Sequence, residues 1–334
     1  MRGGQNLPAC YVTNLTPVLE AKFTVVPDRI TSCTLFATGG PFGGIEATNV
    51  AFAGGESGFV RLSAAGTTGN LLNRTQYNLK WNTSALNNDA FSDHRFQQSF
   101  NHVLYAIFGE PLLPWKSNPY GDDQNAWTNA LEFAIAKTGA KGKATKAAAL
   151  AEITQYLHSD YGLRYDTEPV AFNFAQRMEG GAFNLSGYLT KAVQLPSQPV
   201  FLKDEVNCYD QAGALVSLGC LLGINVKYKY MSKFGYINPT ALVDLLVCNN
   251  PFYPMTTSKE PYTGLDDIWP ARSFFSRHAF SLFEDRVYDA CVGPIINCSL
   301  TQYLDVAIDD STDDENLESG KDTSPATGTV EEVY

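Results

Sequence analysis

The stretch VNCYDQAGALVSLGCLLGINVKYKYM, residues 206–231, decides how this 334-residue chain is interpreted. Its apolar residues recur at helical spacing over Cys208–Leu222, Gly223 is placed to end the helix, and Asn225–Met231 alternates as a strand. Cys208 therefore falls in the first turn of a buried helix, where free N–H groups and the helix dipole favour a thiolate. The competing interpretation is a small buried residue that happens to begin a helix.

A nucleophilic cysteine needs a base, which is usually histidine. His278 opens the segment HAFSLFEDRVYDAC, which predicts a hairpin with its turn at Glu284-Asp285. That turn sets the register through two pairs: Phe283 with Arg286, and Ser281 with Tyr288. His278 and Asp289 then share one face as diagonal neighbours, so Asp289 can orient the imidazole.

The other three histidines fit structural positions better. His102 lies in an apolar run, His158 ends a helix where a surface cation suits the dipole, and His94 sits in a polar turn. Taken singly, His278 and Asp289 also fit as a satisfied structural histidine and a surface acid. Only together with Cys208 do they indicate a catalytic arrangement.

Residues 9–88 predict a β-sandwich, because short strands alternate with glycine-rich turns. The predicted strands are Leu19–Val26, Thr31–Ala37, Ile45–Phe52, Gly58–Leu62 and Gln76–Trp81.

A second domain is predicted over residues 92–304, beginning with a helical pattern. Its predicted helices are Phe96–Phe108, a segment from Asp122 or Asp123 to Thr138, and Lys146–His158 with Thr145 as N-cap.

The charge of the chain is concentrated at its end. Residues 305–334 hold ten Asp/Glu and one Lys, which is −9 of the total −11. This composition predicts a disordered acidic tail. The remaining body carries about −2 and has no Lys/Arg stripe, which argues against nucleic-acid binding.

Other classes of function are disfavoured by what the sequence lacks. The sequence contains no apolar run of 18 residues, so no membrane-spanning helix is expected. The start MRGGQNLPAC has no apolar core of a signal peptide. This favours a cytoplasmic location and leaves an extracellular one open. Seven cysteines without CxxC spacing predict no metal site, and no cofactor is expected. A secreted form with six paired cysteines and a free Cys208 is a third possibility.

Three short motifs, in order, resemble the transglutaminase-like superfamily. Residues 208–212, CYDQA, followed by a leucine-rich helix and Gly223-Ile224, resemble its C-x-D-x-A core. His278-Ala279-Phe280 resembles its His-Ala-aromatic motif, and Asp289 resembles the aspartate that closes its Cys-His-Asp triad. The resemblance covers roughly residues 100–295.

The resemblance implies an α+β fold with a transglutaminase-like, papain-like core. It implies acyl transfer from an amide of a protein or peptide substrate through a thioester. Cys208 would be the nucleophile, His278 the base and then the acid, and Asp289 the orienting group. The Cys208 N–H would be one oxyanion donor, with Gln176 and Trp127 as weak candidates for the second.

Departures from the family pattern favour hydrolysis over cross-linking. Tyr209 stands where the animal cross-linking enzymes have Trp, Ala290 replaces the usual Pro, and no acidic run resembles their calcium sites. The expected activity is therefore a peptidase, an amidase or a glutamine deamidase. The alternatives are a protein-glutamine cross-linking enzyme and a non-catalytic relative that binds a protein partner. The sequence leaves the oligomeric state open.

Overall fold

The computed structural model describes residues 8–26, 28, 30–40, 42–84, 101–115, 127–167, 173–193, 201–231, 236–238, 240–248, 251, 277–309 and 324–334. The chain divides into two compact units, which are considered separately. Unit 1 is Met1–Gly109 with Lys141–Ala144, and unit 2 is Glu110–Ala140 with Thr145–Tyr334.

Unit 1 is built of strands. They are β1 (Ala9–Val12), β2 (Val18–Ala21), β3 (Ser32–Thr38), β4 (Ile45–Ala51), β5 (Val60–Ser63), β6 (Asn73–Asn78), β7 (Lys80–Ser84) and β8 (Asn101–Ile107). They form sheets of order β1-β8-β6, β2-β5 and β4-β3-β7. Leu62, Leu79 and Leu104 lie in one buried cluster, and Leu35 and Val50 lie in another.

Three predictions for this part of the chain are wrong. The predicted strand Gln76–Trp81 spans the end of β6 at Asn78 and the start of β7 at Lys80, and these two strands belong to different sheets. The predicted helix Phe96–Phe108 is strand β8 over Asn101–Ile107, while residues 96–100 lie outside the described residues. Strand β8 pairs with β1 at one edge and with β6 at the other, and its last four residues are all buried. A continuous apolar run does not distinguish such a buried strand from a helix. The predicted strand Leu19–Val26 ends early, since β2 stops at Ala21.

Unit 2 contains the helices. They are α1 (Thr128–Leu131), which continues as a π-helix (Glu132–Lys137), α2 (Lys146–Gln155), which continues as a π-helix (Tyr156–Asp160), α3 (Leu185–Thr190), α4 (Cys208–Leu221) and α5 (Leu300–Ala307). Thr145 caps α2 by accepting a hydrogen bond from the Ala148 N–H, as its position predicts.

The strands of unit 2 are mostly short. They are β9 (Arg164–Tyr165), β10 (Ala175–Arg177), β11 (Gly180–Phe183), β12 (Ala192–Val193), β13 (Phe201–Leu202), β14 (Glu205–Val206), β15 (Lys227–Met231), β16 (Tyr236–Ile237), β17 (Thr240–Ala241), β18 (Val247–Cys248), β19 (His278–Phe283), β20 (Arg286–Asp289), β21 (Ile295–Ser299), β22 (Ile308–Asp309), β23 (Ala326–Thr327) and β24 (Thr329–Val333). Mixed sheets with few helices make this an α+β fold.

Helix α4 is the buried centre of unit 2, and all of its side chains except that of Tyr209 are buried. Two glycines let neighbouring elements approach it closely. A Cβ on Gly213 would lie 2.8 Å from the Phe183 ring, and a Cβ on Gly219 would lie 2.4 Å from a methyl group of Val226. The helix therefore sits at a depth that no larger residue at these two positions permits.

A five-stranded sheet of order β21-β20-β19-β15-β23 packs against α4. Strand β15 is antiparallel to β19, with Met231 opposite His278. This arrangement places the strand that begins with His278 next to the helix that begins with Cys208.

The prediction that residues 305–334 are disordered is wrong for residues 305–309 and 324–334; residues 310–323 lie outside the described residues. Residues 305–309 finish α5 and form β22, β23 pairs with β15, and β24 runs parallel to β11. Val330 and Val333 are buried, and Arg177 forms an ion pair with Glu331. The average composition of the tail concealed this strand, because its valines follow the most acidic stretch.

We expect β24 to contribute measurably to stability. Val333→Ala should lower the free energy of unfolding by about 2 kcal/mol, because it removes buried methyl groups and leaves a cavity. The matched control is Thr329→Ala on the same strand, whose exposed side chain predicts a change within about 0.5 kcal/mol. Chemical denaturation measures both, and equal effects of the two variants would contradict the structural contribution of β24.

Candidate active site

Cys208 is the first residue of α4 and is held there by a capping box. The Asn207 side chain accepts hydrogen bonds from the backbone N–H groups of Tyr209 and Asp210, at 3.0 and 3.2 Å. The Asp210 carboxylate accepts one in return from the Asn207 N–H at 3.1 Å. Cys208 therefore lies at the positive end of a helix, as the sequence predicts.

Asp210 anchors the start of α4 to the preceding chain. It is buried, and its Oδ1 accepts from the backbone N–H groups of Phe174 and Ala175 at 2.8 and 2.7 Å. Burial raises the pKa of Asp210 to about 6, although these backbone donors oppose the rise. Its carboxylate thus ties the start of α4, and with it Cys208, to the preceding chain.

The hairpin β19–β20 has the predicted register, with Ser281 opposite Tyr288 and Phe283 opposite Arg286. Its turn residues Glu284 and Asp285 have φ values of +50° and +57°, the left-handed conformation of a type I′ turn, whose twist matches that of a hairpin.

This register brings His278 and Asp289 together. The His278 Nε2 lies 2.8 Å from Asp289 Oδ2, and both side chains are almost completely inaccessible to solvent. The ring also hydrogen-bonds to the Cys208 side chain. The three side chains identified from the sequence therefore form one buried chain of contacts.

The charges of this cluster stabilise one another. Burial alone lowers the pKa of His278, but the charges of Asp289 and Cys208 and the hydrogen bonds to them raise it above its usual range. Burial alone raises the pKa of Asp289, but the His278 charge and hydrogen bonds from Tyr303 and the Cys291 N–H hold it below its usual range. This electrostatic balance favours an imidazolium beside the Asp289 carboxylate.

Asp289 receives further hydrogen bonds that sequence reasoning missed. The Tyr303 hydroxyl donates to Oδ2 at 2.7 Å, and the backbone N–H groups of Cys291 and Val292 donate to Oδ1 at 2.7 and 3.1 Å. Tyr303 lies on α5, just before the predicted tail. No sequence spacing connects it to the hairpin, so only the folded structure reveals this contact.

Gln211 joins α4 to the strand that carries Asp289. Its buried amide donates to the carbonyl oxygens of Leu157 and Ala290 at 3.0 and 3.2 Å, and its carbonyl accepts from the Tyr188 hydroxyl. The hydrogen bond to Ala290 fixes the residue after Asp289 relative to the helix of Cys208. Gln211 is the second structural contact that the sequence did not predict.

The weak candidates for a second oxyanion donor lie in local packing. The Gln176 side chain accepts from the Ala182 N–H at 3.1 Å, and the Trp127 ring packs edge-on against Trp115. Neither of these contacts involves Cys208. The backbone N–H of Cys208 remains the oxyanion donor proposed from the helix start.

One interpretation of the remaining histidines is wrong. His158 is buried, with Nδ1 3.0 Å from Ser159 Oγ, so it is not a surface cation. His102 lies on β8, where its ring packs against Tyr77. His94 lies outside the described residues.

Two other features bear on the sequence predictions. Cys10, Cys33, Cys220 and Cys298 are free thiols, so they leave too few cysteines for the disulfide-bonded form. In the described parts of the chain, no helix combines the length and the apolar character needed to cross a membrane.

Comparison with solved structures finds 17 similar chains, one of which is a transglutaminase. No protein-family profile matches the chain, and no curated protein does. The chain is similar to red sea bream transglutaminase with a TM-score of 0.45 and 12% sequence identity, over 88% of this chain and 51% of that one. The chain thus spans about half the length of that transglutaminase.

Proposed function

We propose that this chain is a cysteine-dependent amide hydrolase in which Cys208, His278 and Asp289 act as nucleophile, acid–base and orienting group. The observation that carries the proposal is the buried contact of His278 with both other side chains. The position of Cys208 at the start of α4 adds the two features that cysteine nucleophiles use, a favourable dipole and free N–H groups.

The proposed reaction proceeds in two halves. The Cys208 thiolate attacks the amide carbonyl carbon and forms a C–S bond, while the Cys208 N–H stabilises the oxyanion. The His278 imidazolium transfers a proton to the leaving nitrogen, and the C–N bond breaks to release an amine or ammonia. Water then attacks the thioester, His278 takes its proton, and the C–S bond breaks to release the carboxylic acid.

Hydrolysis is proposed over cross-linking because of three departures in the sequence from the animal cross-linking enzymes. Tyr209 stands in place of their Trp, Ala290 stands in place of the usual Pro, and no acidic run resembles their calcium sites. A primary amine in place of water would give a cross-link by the same first half-reaction. A protein-binding scaffold without catalysis is the third outcome. Products distinguish the three: a free acid for hydrolysis, a stable amide with an added fluorescent primary amine for cross-linking, and neither for a scaffold.

We expect iodoacetamide to modify Cys208 at least about 10-fold faster than the other cysteines near pH 7, because thiolates react and thiols do not. Burial raises the pKa of Cys220 to about 11 and also raises that of Cys298, so these serve as internal references. Mass mapping of the modified peptides measures the rates, and Cys208→Ala should abolish the fast phase. Equal modification of all cysteines would overturn the proposal.

A further inference from the structure

Tyr303 is fixed firmly beside the candidate site. It lies on α5, whose start is held by a capping box between Ser299 and Gln302. The helix directly follows β21, and β21 pairs with β20, the strand that ends at Asp289. The Tyr303 side chain is fully buried, so the surrounding packing keeps it from turning toward solvent.

The Tyr303 hydroxyl donates to the same carboxylate oxygen that His278 contacts. Oδ2 of Asp289 lies 2.7 Å from the Tyr303 hydroxyl and 2.8 Å from His278 Nε2, while Oδ1 is held by two backbone N–H groups. Four donors therefore surround the carboxylate. This number restricts rotation of the carboxyl group, so the oxygen that faces His278 stays in one place.

The aromatic ring of Tyr303 also packs against the rings of Phe280 and His278. Its centroid lies 4.9 Å from that of Phe280 and 6.5 Å from that of His278, and it is inclined by 20° to the His278 ring. Phenylalanine would keep these ring contacts. The hydroxyl adds only the hydrogen bond to Asp289, and burial raises the pKa of Tyr303 well above its usual range, so it remains a donor.

We propose that Tyr303 is a positioning residue for the candidate triad: its hydroxyl holds the Asp289 carboxylate in one orientation, and through it holds His278 against Cys208. This inference rests on the proposed function. It assigns to α5 a part in catalysis, whereas the sequence analysis divided residues 300–307 between the end of the catalytic domain and the acidic tail.

Loss of the Tyr303 hydroxyl is expected to raise the pH at which Asp289 becomes protonated. The hydrogen bond from Tyr303 is one of the causes that hold the pKa of Asp289 below its usual range. Its loss moves that pKa upward, so Asp289 becomes protonated at a higher pH than in the wild type. As the pH falls, the negative charge of Asp289, which orients His278, is then lost at a higher pH than in the wild type.

Tyr303→Phe tests the inference. We expect kcat for amide hydrolysis to fall about 10-fold with KM unchanged, the factor equivalent to one hydrogen bond of ordinary strength. We also expect the acid limb of the Cys208 alkylation profile to move to higher pH. Tyr288→Phe is the matched control, because Tyr288 is as buried as Tyr303 and precedes Asp289 in the chain. Burial raises the pKa of Tyr288, with smaller effects from the charges of Arg286 and Glu284.

The double variant with Asp289→Asn separates positioning from packing. If Tyr303 acts through Asp289, adding Tyr303→Phe to Asp289→Asn should cause no further loss of kcat. Cooperative thermal unfolding of each variant verifies that it is folded. A wild-type kcat and alkylation profile in Tyr303→Phe, or fully additive losses in the double variant, would overturn the inference. If wild-type Cys208 alkylates no faster than the other cysteines, the proposed function fails first and this inference falls with it.

Discussion

Replacing His278 by alanine is expected to lower kcat/KM for amide hydrolysis about 10³-fold, because acid–base catalysis by a positioned side chain contributes roughly 10²–10⁴. The same change should slow alkylation of Cys208 near neutral pH, since the imidazole that contacts the sulfur is gone. Single-turnover kinetics of acyl-enzyme formation and the alkylation rate measure the two effects. Both should be seen in the same variant, because one imidazole performs both tasks.

His102→Ala is the control for this change. His102 lies on β8, in unit 1, where its ring packs against Tyr77, and nothing in the proposed reaction uses it. Its kcat/KM should stay near that of the wild type. If His278→Ala keeps more than about a tenth of the wild-type kcat/KM, a value far above the usual loss of an acid–base residue, the base has been assigned wrongly.

Replacing Asp289 by alanine is expected to destabilise the fold by about 3–5 kcal/mol, the usual effect of leaving one member of a buried ion pair without its partner. The change also leaves the Tyr303 hydroxyl and two backbone N–H groups without their acceptor. Chemical denaturation measures the effect. The control is Asp305→Ala, an exposed position on α5 for which a change within about 0.5 kcal/mol is expected.

The pH dependence of this stabilisation has a defined sign at each end. The pKa of Asp289 is lowered on folding, so its contribution is present above the unfolded value of about 3.9 and is lost as the pH falls through the folded value. The pKa of His278 is raised, so its contribution is complete below about 6.5 and is lost as the pH rises through the folded value.

The stability difference between the wild type and Asp289→Asn should therefore be largest between about pH 4 and 6.5. Asp210 acts in the opposite direction: burial raises its pKa to about 6, so its contribution is present at low pH and is lost as the pH rises through that value. Because both proteins contain Asp210, its effect cancels in the difference. A difference independent of pH would contradict the ion-pair description of His278 and Asp289.

The parts of the fold that the sequence predicted are those with short-range signals. The hairpin register follows from the turn at Glu284-Asp285, which fixes every pair beyond it. Helix α4 follows from its apolar spacing, and α2 from the Thr145 cap. Since His278 and Asp289 lie on one hairpin, their contact could be predicted from local geometry alone.

The parts that the sequence did not predict depend on distant contacts. Strand β8 has a helix-like sequence because its last four residues are all buried, whereas its structure as a strand depends on pairing with β1 and β6 at its two edges. The hydrogen bond from Tyr303 to Asp289 depends on the packing of α5 against the hairpin. Strand β24 was concealed by the acidic average of its surroundings. In each case, the structure depends on contacts with residues that are distant in the sequence.

The pairing of β24 also bears on how the protein folds during synthesis. Gly180 of β11 pairs with Thr329 of β24, and between them lies most of unit 2, including α4. While the ribosome is still translating that interval, β11 has no parallel neighbour and β15 lacks the strand that pairs with its outer edge. The nascent chain therefore exposes open strand edges, which invite association with other chains. Only when β23 and β24 have emerged do both edges close.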